Sequence, residues 1–394
     1  MFSLKKMEVK NKTVFLRVDY NVPLEKGKVI DHQRIRATLP TIKFLLEQNC
    51  KIVIGTHLGR PEGKVAEQWR VDPLAKELQA LLPAQQIIKL DDCVGVQEGI
   101  RKGKAKDMFM LENLRFYAEE EENGVVFAHG LADLAEVYVN DAFAVCHRKH
   151  ASVEAITHFL PAVPGLLLEQ EITQLRRALE PLAPAVWIMG GAKLDKVDLI
   201  KQALQKADYI LVGGALAFSF LRAQGYTVGM SKIDAESVAK AKEILALKGA
   251  EKIILPVEVV VVEEFSPKAA SSVVPVREMK TIHMGLDIGP GTIRLFEEYL
   301  RKAHTIVWNG PLGYYEWAQF AEGTRQIARY ISKLTAVSIC GGGETAEAVQ
   351  KFKVDHLFTH VSTGGGAALE FLAGKELPAL KALEENYRRF KKKV

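Results

Sequence analysis

Cysteine is scarce: four in 394 residues, at 50, 93, 146 and 340, with no CxxC pair among them. That excludes a disulfide framework and a cysteine-based zinc site. Cys50 and Cys340 lie in or beside apolar runs and read as buried thiols. No apolar stretch reaches membrane-spanning length, because Gly, Pro or charge interrupts each candidate. The opening segment MFSLKKMEVKNK has no long apolar core of a secretory signal. A reducing cytoplasm is therefore the expected location. Net charge is also small, since 53 basic and 48 acidic residues leave +5, too little to argue for a nucleic-acid coat. Repeats and low-complexity tracts are absent, and so is GxxxxGK[ST], which excludes a P-loop. What remains is ordinary globular composition, 48% apolar and 26% charged, on a chain long enough for two cores.

Short β-rich runs alternate with helix-period runs along the whole chain. In the first half the strands read Thr13–Val18, Lys51–Gly55, Met108–Leu111 and Val137–Asn140, with helices over Gln33–Gln48 and Asp72–Leu82. In the second half six runs are apolar on both faces: Ala185–Met189, Tyr209–Val212, Lys252–Leu255, Thr305–Trp308, Ala336–Cys340 and Leu357–Val361. Strands of that kind belong to parallel sheets covered by helices. The fold class is α/β, with two lobes joined at the Pro-bounded segment Pro161–Pro184, whose helix spans Glu169–Leu179. The expected boundaries are 1–165 for the first lobe, 166–183 for the connector and 184–378 for the second lobe. The terminal segment 379–394 reads as a short helix with a basic end.

Ligands of open parallel sheets bind at the carboxyl ends of the strands. In the second half those ends carry GGAKLDK, GGALAF, NGPLGYYE, GGGETAEAV and STGGGAALEF. One glycine after a strand is ordinary turn chemistry. Five such loops on one edge, each opening a helix, describe a phosphate-binding rim. Lys193 and Lys196 add cations at a helix start, where they oppose the dipole unless an anion is present. Glu344 either complements a helix dipole or helps hold Mg²⁺. Gly341, Gly343 and Ala346 fit a dinucleotide fingerprint loosely, but the next strand ends in Ser362-Thr363-Gly364 instead of an acid that would hold a ribose.

In the first half, Arg17, Asp19 and Asn21 alternate and at strand spacing share one face. Arg34 and Arg36 stand at a helix start, and Arg60, Arg115 and Arg148 each follow a strand. His57 and His147 accompany them. A lone arginine is usually a solvated surface residue. Several planar forks at one edge describe a pocket for a small, multiply anionic metabolite. RNA is the weaker reading, because no aromatic stacking pattern is interleaved.

In order, RVDYNVP, QRI, HLGRP, LENLRF, NDAFAVCHR, GGAKLDK, GGALAF, MGLDIGPGT, WNGPLGYYE, GGGET and STGGGAALEF strongly resemble the phosphoglycerate kinase family over nearly the whole chain. The resemblance implies two Rossmann-like lobes, with the C-terminal segment folding back on the first. It implies that Asp19, Asn21, Arg34, His57, Arg60, Arg115 and Arg148 bind 3-phosphoglycerate or 1,3-bisphosphoglycerate. It places Mg-ADP or Mg-ATP against Lys196, Gly213, Gly214, Gly285, Asn309, Pro311, Glu316 and Gly341–Thr345, that is Gly341, Gly342, Gly343, Glu344 and Thr345. Glu316 would take the ribose hydroxyls and Glu344 the Mg²⁺. Arg34, Lys193, Lys196 and the helix starts at Gly342 and Gly365 form the implied catalytic set, with Lys193 and Arg34 facing each other across the transferring group. A cytoplasmic monomer that closes around its substrates, acting in glycolysis and gluconeogenesis without nucleic acid or membrane, completes the expectation. This chain departs from the family in a GGAKLDK loop one residue shorter, in Glu344 for Asp, and in Ala215 for a glycine.

Overall fold

The computed structural model describes residues 3–192 and 197–390. The chain divides into two compact units, one running to Ile172 and resuming at Glu376, the other spanning Thr173–Lys375. Each unit is an α/β fold on a six-stranded parallel sheet.

In the first unit the strand order is Ile87–Lys89, Met108–Met110, Lys51–Gly55, Thr13–Arg17, Val137–Asn140, Ala162–Pro164. Four of these were legible as apolar runs. The edge strands Ile87–Lys89 and Ala162–Pro164 are short, and PAVPG reads as turn chemistry until its pairing with Val137–Asn140 is known. Proline is tolerated there because an edge strand leaves one side without a ladder. The expected helix Gln33–Gln48 is two helices, Gln33–Ala37 and Leu39–Glu47. Pro40 has no N–H to continue the first, and the break falls at Thr38, whose hydroxyl donates to the Ile35 carbonyl at 2.9 Å.

The second unit orders its sheet Ile253–Ile254, Tyr209–Val212, Ala185–Met189, Thr305–Asn309, Val337–Gly341, His360–Val361. The run expected over Leu357–Val361 shortens, because Asp355–Leu357 is a single 3₁₀ turn. A three-stranded antiparallel sheet, Ser271–Pro275, Glu258–Val262 and Met284–Ile288, has no counterpart in the sequence reading. Its edge strand is largely exposed and small, so it carries no core signal. The central strand packs Val259 and Val261 on Phe218 of the helix Gly214–Ala223.

In each large sheet the chain reverses direction of winding once: between Thr13–Arg17 and Val137–Asn140, and between Ala185–Met189 and Thr305–Asn309. The carboxyl ends of those strands are where a ligand site is expected.

The helix Pro378–Phe390 belongs to the first unit. Asn386, 2% exposed, anchors it there. Its Oδ1 accepts from Ala162 N at 2.8 Å, and its Nδ2 donates to the carbonyls of Thr157 at 2.5 Å and Leu160 at 2.7 Å. Asn386→Ala strands these buried groups and should cost about 1–3 kcal/mol, read as a lower denaturant midpoint. An unchanged midpoint would contradict the anchoring role.

Candidate active site

A guanidinium is buried only with partners. Arg17 ends its strand with no exposed surface. Its Nε donates to Ser152 Oγ at 2.7 Å, its Nη1 donates to the Val18 carbonyl, and its Nη2 lies 3.7 Å from Glu120 Oε1. Glu120, equally buried, accepts from the Ser152 hydroxyl at 2.6 Å and the Ser152 amide at 2.9 Å. Arg17 Nη2 also stands 3.3 Å from His57 Nδ1.

The strand ends at Arg17, so Asp19 and Asn21 are not held at strand spacing; Asn21 N instead donates to Asp19 Oδ1 at 3.1 Å. Arg34 Nη1 then donates to Asp19 Oδ2 at 2.5 Å and to the Asn21 carbonyl at 3.4 Å. Asn21 Oδ1 accepts from Gly59 N at 2.9 Å, which ties this segment to the HLGRP loop.

The buried Asn113 links that loop to LENLRF. Its Oδ1 accepts from the amides of Leu58 and Arg115, and its Nδ2 donates to the carbonyls of Leu58 and Trp69. Arg115 is 3% exposed, donates from Nη1 to the Gly59 carbonyl at 2.8 Å, and has Glu121 Oε1 3.2 Å from its Nε. Its Nη2 is buried with no hydrogen-bond partner among the described residues. Arg148 is half-buried, its Nε 3.3 Å from His147 Nε2, and Arg60 is exposed. His150, six per cent exposed and 3.8 Å from Glu120, was not picked out by sequence; its spacing from His147 was the available signal.

These groups read one another's charge. Burial, then Arg17, Arg115 and Arg148, hold His57 well below the ordinary imidazole value. Burial and the same three cations push His150 down to about 3. Both rings are therefore neutral at pH 7, inside a cluster of permanent positive charge.

The second unit presents a cavity of about 680 Å³, within the usual range for small-molecule sites. Its floor is backbone. Gly191 N donates to the Pro311 carbonyl at 2.9 Å, Gly214 N to the Leu312 carbonyl at 3.0 Å, and Gly213 N to the Met189 carbonyl at 2.9 Å. Gly214 has φ +63°, and a Cβ there would overlap the Pro311 carbonyl and Gly191 N. The end of the Phe218 ring abuts Gly285, where a Cβ would overlap it. Glu316 and Glu344 also line the cavity and are exposed.

Gly342, at φ +92°, turns the strand Val337–Gly341 into the helix Gly343–Lys351, with Glu344 in its first turn. Asn309 Nδ2 donates to the Gly341 carbonyl at 2.6 Å, while its Oδ1 is buried without a partner among the described residues. Thr345 Oγ1 accepts from Gly310 N at 2.7 Å, so that oxygen serves the loop. Gly365 precedes the helix Gly366–Leu372. Lys193 and Lys196 lie outside the described residues. The sequence reading missed the aromatic wall, where the Phe265 ring stands 5.4 Å from Tyr314 and 4.5 Å from Trp317. It also missed Asp287, which lines the cavity.

Mg²⁺ takes one or two carboxylates and completes its shell with phosphate oxygens and water. The exposed carboxylate of Glu344 at the rim of the cavity fits that requirement.

A family model described as phosphoglycerate kinase matches residues 4–375. A Moorella thermoacetica protein named phosphoglycerate kinase is 47% identical over 389 residues, covering 97% of this chain and 99% of its own. One from Dictyoglomus turgidum is 45% identical over 392 residues, covering 98% of each. The solved phosphoglycerate kinase of Coxiella burnetii matches with a TM-score of 0.89 at 38% identity, over 98% of this chain and 99% of its own. That of Pyrococcus horikoshii gives 0.86 at 36%, over 99% and 100%.

Histidine titrates near 6.5 in an unfolded chain. A depressed folded value means that the unfolded state binds the proton first as pH falls. The contribution of His150 is therefore complete above about 6.5 and is lost progressively toward its folded value of about 3. Buried Asp141 and Asp287, raised by burial to about 7 and about 8, act in the opposite sense. The effect is thus read as a difference: His150→Gln should gain stability relative to the parent protein between pH 7 and 5. Parallel urea-midpoint profiles would exclude a neutral buried His150.

Proposed function

The chain belongs to the phosphoglycerate kinase family, and on that premise we propose how its residues divide the reaction between the two units. The reaction is reversible phosphoryl transfer between 1,3-bisphosphoglycerate and ADP, giving 3-phosphoglycerate and ATP. The observation that carries the assignment in the first unit is Arg115 Nη2, a buried guanidinium donor without a hydrogen-bond partner among the described residues, set among further cations. An anionic ligand would satisfy it. Asp19, Asn21, Arg34, His57, Arg60, Arg115 and Arg148 hold the phosphoglycerate. In the second unit Gly213, Gly214, Gly285, Asn309, Pro311 and Glu316 hold the nucleoside, while Gly341–Thr345 and Lys196 hold its phosphates.

The acceptor is the carboxylate of 3-phosphoglycerate, already ionised at neutral pH, so no general base is needed. Catalysis reduces to alignment and charge stabilisation. Asp19 holds the Arg34 guanidinium by Nη1, and the side chain stays 31% exposed, which leaves its other donors open to the transferred group. Glu344 would hold the Mg²⁺ that accompanies the nucleotide, and that ion would supply charge neutralisation at the phosphates. Gly342 and Gly365 leave the amides of the helices they open unobstructed by side chains. The reading extends to a cytoplasmic monomer acting in glycolysis and gluconeogenesis.

A coupled assay with 3-phosphoglycerate, ATP and Mg²⁺ should show turnover, and its absence would defeat the assignment. Arg34→Ala should lower kcat by about 10²-fold with a much smaller rise in the KM for 3-phosphoglycerate. A normal kcat would remove Arg34 from the transition state. Glu344→Ala should weaken MgADP binding in calorimetry and spare 3-phosphoglycerate; equal MgADP affinity would count against its metal role.

A further inference from the structure

The buried acid Asp287 has no part in the reaction as proposed. Asp287 stands on the strand Met284–Ile288, 3% exposed, where it lines the cavity. Its Oδ1 accepts from Ile288 N at 2.9 Å. Its Oδ2 accepts from Gly323 N at 2.8 Å, in the first turn of the helix Glu322–Ile331. The side chain is also wedged between two glycines, since a Cβ on Gly313 or on Gly323 would overlap the carboxylate.

Gly313 belongs to the segment that runs from the strand Thr305–Asn309 to Glu316. That segment is bonded on both sides of Asp287. Tyr314 N donates to the Leu286 carbonyl at 2.7 Å, and Leu312 N donates to Thr324 Oγ1 at 3.0 Å. Its own carbonyls, at Pro311 and Leu312, receive the amides of Gly191 and Gly214. A shift at Gly313 therefore passes directly to both glycine loops of the floor.

We infer that Asp287 is a positioning residue for the nucleotide: it fills the space between Gly313 and Gly323, sets the height of the Pro311–Glu316 segment, and through it places the floor and Glu316. This rests on the nucleotide reading of the cavity. Burial, reinforced by neighbouring Glu322, raises the carboxyl to about 8, against the Gly323 and Ile288 amides that lower it. That separates it from Glu344, which stands exposed at the rim.

Asp287→Asn and Asp287→Ala test the inference. Asparagine keeps the volume but only one accepting oxygen; alanine removes both acceptors and the wedge. The KM for MgATP should rise about threefold in the first and about tenfold in the second, with the KM for 3-phosphoglycerate unchanged. Calorimetry with MgADP should give the same order. A folded Asn variant with parental nucleotide affinity would overturn the inference, as would both KM values rising together, which marks a general structural role. If the Ala variant does not fold, the Asn variant decides. Parent protein that binds no nucleotide would instead overturn the reading of the cavity, so the two failures are separable.

Discussion

A parallel strand that stops at the carboxyl edge of its sheet leaves its last backbone groups to be satisfied by whatever follows. The two units meet this constraint differently, and their sites follow from the difference. In the first unit side chains reach across: Thr56 Oγ1 takes Tyr20 N at 3.0 Å, Asn21 takes Gly59 N, and Asn113 serves three residues at once. In the second unit backbone carbonyls do the same work, with Met189, Asn309, Pro311 and Leu312 accepting from four glycine amides. A side chain that bridges two loops fills the edge with specific polar groups. A carbonyl that bridges them leaves the edge bare, and only glycine allows the loops to approach closely enough.

The electrostatics divide in the same way. The first unit holds Arg17 in a pairing with Glu120 and Ser152 that satisfies most of its donors. Arg115 and Arg148 add cations that the nearby acids do not fully match, and the two buried histidines respond by staying neutral. Such an arrangement costs stability in the free protein and favours an anion. Among the described residues, the glycine loops of the second unit's cavity are joined by backbone groups, and its charged or acidic lining is Lys232, Asp287, Glu316 and Glu344. Phosphoryl transfer is served by alignment and by charge stabilisation, and the two units differ in which of these their strand ends supply.

Most of the two large sheets was legible before the structure. Runs such as AVWIM and TIVW are apolar on both faces, and a strand buried on both faces has few alternatives. The arginines and glycines after those strands were legible for the same reason, since each sits where the sheet ends. Other features were not. Nothing local marks Ser271–Pro275 as a strand, because its stability lies in cross-strand partners far along the chain. His150 and Asn113 look like any polar residues near a motif. Asp287 reads as one acid in MGLDIGPGT, and its confinement between Gly313 and Gly323 exists only once three distant segments meet.

Sequence by itself determined the class of fold, the family and the residue types that carry charge, because periodicity, strand-end glycines and motif order are properties of neighbours along the chain. Tertiary structure decided which of those residues are buried, which are paired and which donor is left over. Arg17 and Arg60 are the same residue type near the same edge, yet one is sealed inside with partners and the other is open to water. Burial and hydrogen bonding depend on what packs from elsewhere in the chain, and those contacts set both the pKa of a group and its cost when unpartnered.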